Sequence, residues 1–142
     1  MVALPSVAFA FGSDDHWTSG WGQGIAEAIV TKGPGNQIYV TCGESYGRAG
    51  HTAISFQLIG REPTGSTITL TFDGVDPQDS NLWNGRVPSD CRACEANYSA
   101  IISMLKQHQT VHVRFENGDA AKFTLKGAAK AIGQCKPDVF AY

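Results

Sequence analysis

The sequence predicts a mainly antiparallel β protein of the α+β class. It would hold about six strands in a sandwich-like or curved sheet, one amphipathic helix and a short C-terminal helix. Three observations predict this. Apolar and polar residues alternate in several short runs. Sixteen glycines and six prolines gather between those runs, where turns are needed. A single stretch changes from a period of two to the period of a helix. At 142 residues the chain suits one hydrophobic core, so residues 11–142 are expected to form a single β-rich domain.

The elements follow in order. Gln23 to Thr31 alternates loosely and becomes β-branched towards its end, and Lys32 to Asn36 is a turn by composition. Gln37 to Cys42 reads as the return strand of that first hairpin. Thr52 to Ile59 places Ile54, Phe56 and Leu58 on one face. After a Pro63–Gly65 turn, Thr67 to Asp73 places Ile68, Leu70 and Phe72 on one face and threonines on the other. These four runs are expected to form an unbroken meander with one buried face. Gly74 to Asp90 reads as irregular. Tyr98, Ile101, Ile102 and Leu105 then make one stripe of a helix, with Ser89 or Asp90 as its N-cap. Thr110 to Glu116 and Ala120 to Lys126 flank Asn117-Gly118, a two-residue hairpin signal, and Gly127 to Ile132 suits a short helical turn.

Charged residues are only 17% of the chain, against about 25% in an average soluble protein, and the net charge is −2. No run of Lys or Arg supplies the electrostatic footprint of a nucleic-acid binder. The charge is uneven, however. Up to Met104 there are 5 basic and 10 acidic residues; from Leu105 onward there are 6 basic and 3 acidic. One face could therefore be positive, although scattered solvated lysines account for the same count.

Met1 to Ala10 is uncharged, mostly apolar and ends in Ala8-Phe9-Ala10, the small-x-small pattern at which signal peptidase cuts. It is too short to span a bilayer, and we read residues 1–10 as a signal-peptide remnant, with an N-terminal strand as the alternative. Four cysteines fit an exported protein. Pairing Cys42 with Cys135 and Cys91 with Cys94 is the preferred arrangement, and the other two connectivities stay open.

Several patterns carry potential chemistry. Cys91, Cys94, His108 and His112 have the order and spacing of a two-Cys, two-His zinc site. Against zinc, the Cys pair opens onto a helix, His112 lies in a strand-like run and export would oxidise the thiols. The same Cys-x-x-Cys at a helix start has the makings of a redox pair, but the thioredoxin-like βαβ surroundings are missing, which favours a structural bridge. Asp73, Asp76 and Asp79 lack the alternate spacing of a calcium loop and read as an acidic turn. Gly20 to Gly24 resembles a phosphate loop only superficially; with His16, Trp17 and Trp21 it reads as a turn carrying exposed or half-buried aromatics. The sequon Asn97-Tyr98-Ser99 sits on the helix and is discounted. No nucleophile elbow, acid/base couple or catalytic neighbourhood around His16, His51, His108 or His112 stands out.

The segment from Phe123 to Cys135, a Phe-x-Leu-x-Gly strand leading into a short Ala-rich helix, resembles the ending of proteobacterial envelope proteins of the invasion-associated locus B type. The run Ile68 to Asp73, the paired cysteines and the helix from Cys94 to Leu105 come in a similar order over the C-terminal half. The resemblance implies an envelope location, a sandwich-like fold and no catalysis. It supplies no binding residues. The expectation is a periplasmic or secreted, non-enzymatic binding protein of accessory, inhibitor or immunity type, without cofactor or metal. A protein partner would dock on Trp83 and Arg86, with Trp21 and Tyr46 as further candidates and Trp17 among the loop aromatics. A zinc-stabilised intracellular module using Cys91, Cys94, His108 and His112 is the alternative.

Overall fold

The computed structural model describes residues 12–22, 25–43 and 52–135. The predicted signal-peptide remnant and Tyr46 lie outside the described residues, as does His51. Two antiparallel sheets share one core. The first holds, in order, β1 (Thr18–Gly22), β2 (Ile25–Thr31), β3 (Gln37–Cys42), β4 (Ala53–Gln57) and β7 (Arg86–Pro88). The second runs β6 (Val75–Asn81), β5 (Thr67–Phe72), β8 (Thr110–Phe115) and β9 (Ala120–Thr124). Helix α1 (Arg92–Gln107) packs against β7, and α2 (Ala128–Ile132) against β2.

The alternation read from the sequence sets the inward faces. Ile38, Val40 and Cys42 of β3 are buried between half-exposed neighbours, and Ile68, Leu70 and Phe72 do the same in β5. Val111, Val113, Phe115 and Phe123 complete the second sheet's inner face. The helical stripe Tyr98, Ile101, Ile102 and Leu105 joins the same core cluster. A residue like Phe123, 1% exposed, typically costs about 3–5 kcal/mol to truncate to Ala.

The fold class is as predicted, but the strands are arranged differently from the expected meander. Of the four expected runs only β2, β3 and β4 stay in one meander, which β1 extends at its start; β5 starts the second sheet. The segment expected to be irregular holds β6 and β7 instead. Its hairpin signals are Asp73-Gly74 and Asn84-Gly85, and in each pair both residues have positive φ, the requirement of a type I′ turn. The first closes the β5–β6 hairpin. The second carries the chain from β6 in one sheet to β7 in the other. At Asn117-Gly118 the turn is larger than the two-residue type. Gly118 N–H donates to Phe115 O and Phe115 N–H to Asp119 O, leaving three residues between. Gly118 has φ 100°, as in the bulge that follows a type I turn.

β6 reads poorly from sequence because six of its seven residues are exposed, so no apolar period marks it. Asp76, at φ 47°, forms a bulge where β5 pairs Leu70 with Gln78 and then Phe72 with Val75. The helix also starts later than expected. Its N-cap is Cys91, whose Sγ accepts the Cys94 N–H at 3.1 Å, rather than Ser89 or Asp90. Ser89 is fully buried and its hydroxyl donates to Thr52 O at 2.8 Å, so it is committed elsewhere.

Trp17 precedes β1 in a loop, but it is buried rather than exposed or half-buried. It is 3% exposed, its indole N–H donates to Thr124 O at 2.9 Å, and its backbone N–H to Lys126 O. Disulfides join Cys42 to Cys135, 93 residues apart, and Cys91 to Cys94. The Tyr98 hydroxyl, one turn beyond Cys94, lies 3.3 Å from Cys135 Sγ. Among the described residues no helix is long and apolar enough to cross a membrane.

Candidate binding cleft on the five-stranded sheet

The outward face of the first sheet is read directly from its pairing. Since Ile38 and Val40 point inward, Gln37 and Tyr39 point outward. Tyr39 pairs with Ser55, Ser55 with Arg86, and Arg86 with Trp83 across the Asn84-Gly85 turn. Directly paired residues in an antiparallel ladder share a face. Tyr39, Ser55, Arg86 and Trp83 therefore form one row across the sheet. Gln37 and Gln57 form the next row, paired with each other.

A cleft of about 370 Å³ opens on this face, lined by Gln37, Ser55, Gln57, Glu62, Asn84 and Arg86. Its polar side chains make no hydrogen bond or ion pair among the described residues, and Arg86 forms no ion pair with Glu62. The turn fixes the mouth of the cleft. Trp83 N–H donates to Arg86 O at 2.8 Å and Arg86 N–H to Trp83 O at 3.2 Å, so the two residues are clamped side by side. Trp83 is 39% exposed, and the turn between Gln57 and Glu62 carries Ile59, also exposed. Tyr39, at the other end of the row, donates its hydroxyl to Glu27. Beyond it Ile29 is shielded by the strap of residues 12–14: Thr31 N–H donates to Ser13 O, and Asp14 accepts from the Thr31 hydroxyl and the Gly33 N–H.

Chemically the cleft offers one cation, one carboxylate, three amides and a hydroxyl beside an exposed indole. Such a surface suits recognition, because both donors and acceptors are left for a partner to satisfy.

The structure brings together some predicted residues and separates others. Trp83 and Arg86 meet. Trp21 is exposed, but it pairs with Ala26 on β1 at the opposite edge of the sheet, so it does not join them. The four candidate zinc ligands do not converge. Cys91 and Cys94 stand at the start of α1 and His108 at its C-cap, a helix of 16 residues, or about 24 Å, away. His108 is held instead by Asp73, Nδ1 to Oδ2 at 2.8 Å, and His112 lies on the outward register of β8 opposite Lys122. Among the described residues no group of three or more His, Cys, Asp or Glu is placed to hold a metal ion.

The three aspartates of the acidic turn have separate tasks. Asp73 accepts from His108 and from the N–H groups of Gln109 and Thr110, and Asp79 accepts from the Thr69 hydroxyl. The hydrogen bonds to Asp73, first that of His108, lower its pKa from the ordinary value. Asn97, of the discounted sequon, accepts from the Ser80 hydroxyl.

Sequence reasoning missed Gln37, Ser55, Gln57, Glu62 and Asn84 as cleft residues. The Asn84-Gly85 dipeptide was the available signal, since a two-residue hairpin there would set Trp83 opposite Arg86. Glu62 had none.

The family named YfjT matches this chain over residues 15–132, which span every described strand and both helices. The chain belongs to the YfjT family. No curated protein and no solved structure matches it. The YfjT match thus covers the whole cleft, including Arg86 and the Asn84-Gly85 turn. No matched relative extends the likeness to invasion-associated locus B proteins.

Proposed function

We propose that this YfjT-family chain is an exported, non-enzymatic binding protein that docks a protein partner on the outer face of its five-stranded sheet. The partner would be met in the periplasm or outside the cell, in an accessory, inhibitor or immunity-type role. The observation that carries the reading is the clamped Trp83–Arg86 pair, in which Arg86 lines a cleft whose polar side chains have no hydrogen-bond or ion-pair partner among the described residues. Large aromatics and Arg supply most of the energy of protein interfaces when both are desolvated together. Two disulfides favour an oxidising compartment, which supports export.

The test places a photo-crosslinking residue at Trp83, and separately at Thr69 on the outer face of the other sheet, in protein exported by its own cells. The expected result is a discrete crosslinked protein from position 83, weakened at least about tenfold by Arg86→Glu and absent from position 69. Equal crosslinking from both faces would refute the reading. So would Trp83→Ala if it lowered the melting temperature yet left the crosslink from a probe at Gln57 unchanged.

A further inference from the structure

The two disulfides sit in opposite situations. Cys42 is buried in the end of β3, with Tyr98 hydroxyl on its partner sulfur, and the bridge spans 93 residues. Cys91–Cys94 spans three residues, so its closure restricts the unfolded chain least. Cys94 is 4% exposed and belongs to the buried stripe of α1, whereas Cys91 is exposed. Cys91 is also the N-cap of a 16-residue helix, and its Sγ already accepts the Cys94 N–H at 3.1 Å.

We infer that Cys91–Cys94 is a redox-exchangeable disulfide that reacts with external thiols at Cys91, while Cys42–Cys135 is the structural bridge. The asymmetry dictates the direction of attack. An incoming thiolate reaches Cys91 Sγ and forms a mixed disulfide there; the S–S bond breaks, and Cys94 leaves, taking a proton from water. A second external thiolate then attacks the external sulfur of that mixed disulfide and releases Cys91 as a thiolate. Two external thiols become one disulfide, and the two electrons reside in the Cys91/Cys94 dithiol. The unpaired N–H groups of the first turn of α1 stabilise the departing Cys91 thiolate, which makes it a good leaving group. Arg92 adds a positive charge next to it, and Asp90 and Glu95 oppose the effect in part. The inference stands apart from the docking face, because it uses none of the cleft residues.

The thiol acting on Cys91 could come from glutathione or from a cysteine in a protein, and the experiment separates them. The folded protein is equilibrated in glutathione buffers from oxidising to reducing, quenched with acid, alkylated and mapped by peptide mass. Cys91 and Cys94 are expected to be alkylated at a poise where Cys42 and Cys135 remain joined; both bridges opening together would overturn the inference. In a second arm, Cys94→Ser is expected to form a mixed disulfide with oxidised glutathione at about pH 7 at least about tenfold faster than Cys91→Ser, whose remaining thiol is buried. Equal rates would overturn it. A two-cysteine peptide that reduces the wild-type pair faster than glutathione at matched potential identifies protein thiols as the reactant, and the reverse order identifies small thiols.

Discussion

Ile59 holds its backbone at φ 53°, in the left-handed region that β-branched side chains avoid, while 59% of its surface faces solvent. Its neighbours over-determine the turn. Ile59 N–H donates to the Asn36 side chain at 2.9 Å and Gly60 N–H donates to Gly35 O at 2.9 Å. A Cβ on Gly35 would stand 2.6 Å from the Gly60 nitrogen, so Gly35 is what lets the two loops meet. Burial gives Ile59 no compensation. Replacing it with Gly is therefore expected to stabilise the protein by about 1 kcal/mol, the order of the left-handed penalty, read as a higher urea midpoint with unchanged slope. A loss of stability would mean that the Ile59 side chain makes contacts worth more than that strain.

Three carboxylates tie elements together through backbone N–H groups, and each has its pKa lowered, Asp73 first by the His108 side chain, Asp14 first by the Thr31 hydroxyl and Glu116 first by the Thr67 N–H. Glu116, at the end of β8, accepts from Thr67 N–H, the Thr67 hydroxyl and Ser66 N–H, pinning the start of β5. Asp73 pins the start of β8 to the β5–β6 turn, and Asp14, through the Thr31 hydroxyl and Gly33 N–H, pins the strap to the β2–β3 turn. A carboxylate depressed in the folded state stabilises fully above its unfolded pKa, near 4. That contribution fades as pH falls through the lower folded value. Asp73→Asn should thus lower the urea midpoint at about pH 7, and the gap from wild type should close by about pH 2. A gap of equal size at both would show that the Asp73 anchor acts through shape rather than charge.

The whole molecule is closed by the Cys42–Cys135 bridge, which ties β3 to the segment beyond α2. A loop of that length restricts the unfolded chain by on the order of 4–5 kcal/mol, against on the order of 2 for the Cys91–Cys94 loop. Double replacement of Cys42 and Cys135 by Ala should lower unfolding free energy by about 3–5 kcal/mol, whereas replacing Cys91 and Cys94 should cost much less. Denaturant titration of the two variants checks the order, and an inverted order would remove the structural role assigned to Cys42–Cys135.

By itself the sequence determined the fold class, the inward face of β3, β4, β5, β8 and β9, and the stripe of α1. These are local: a period of two or 3.6 is set by backbone geometry, and burial of one face follows from it. Sequence also singled out Trp83 with Arg86, from residue type alone. Tertiary structure decided the rest. It alone moved β5 into a second sheet, because strand partners are chosen by long-range contacts that leave no mark on alternation. It buried Trp17 through hydrogen bonds to residues more than a hundred positions away. It parted His108 from Cys91 by the length of a helix that the spacing rule ignored. The cleft itself draws Gln37, Ser55, Gln57, Glu62 and Arg86 from separate segments. Each is an ordinary polar residue in its own stretch of chain, and only strand register places them side by side.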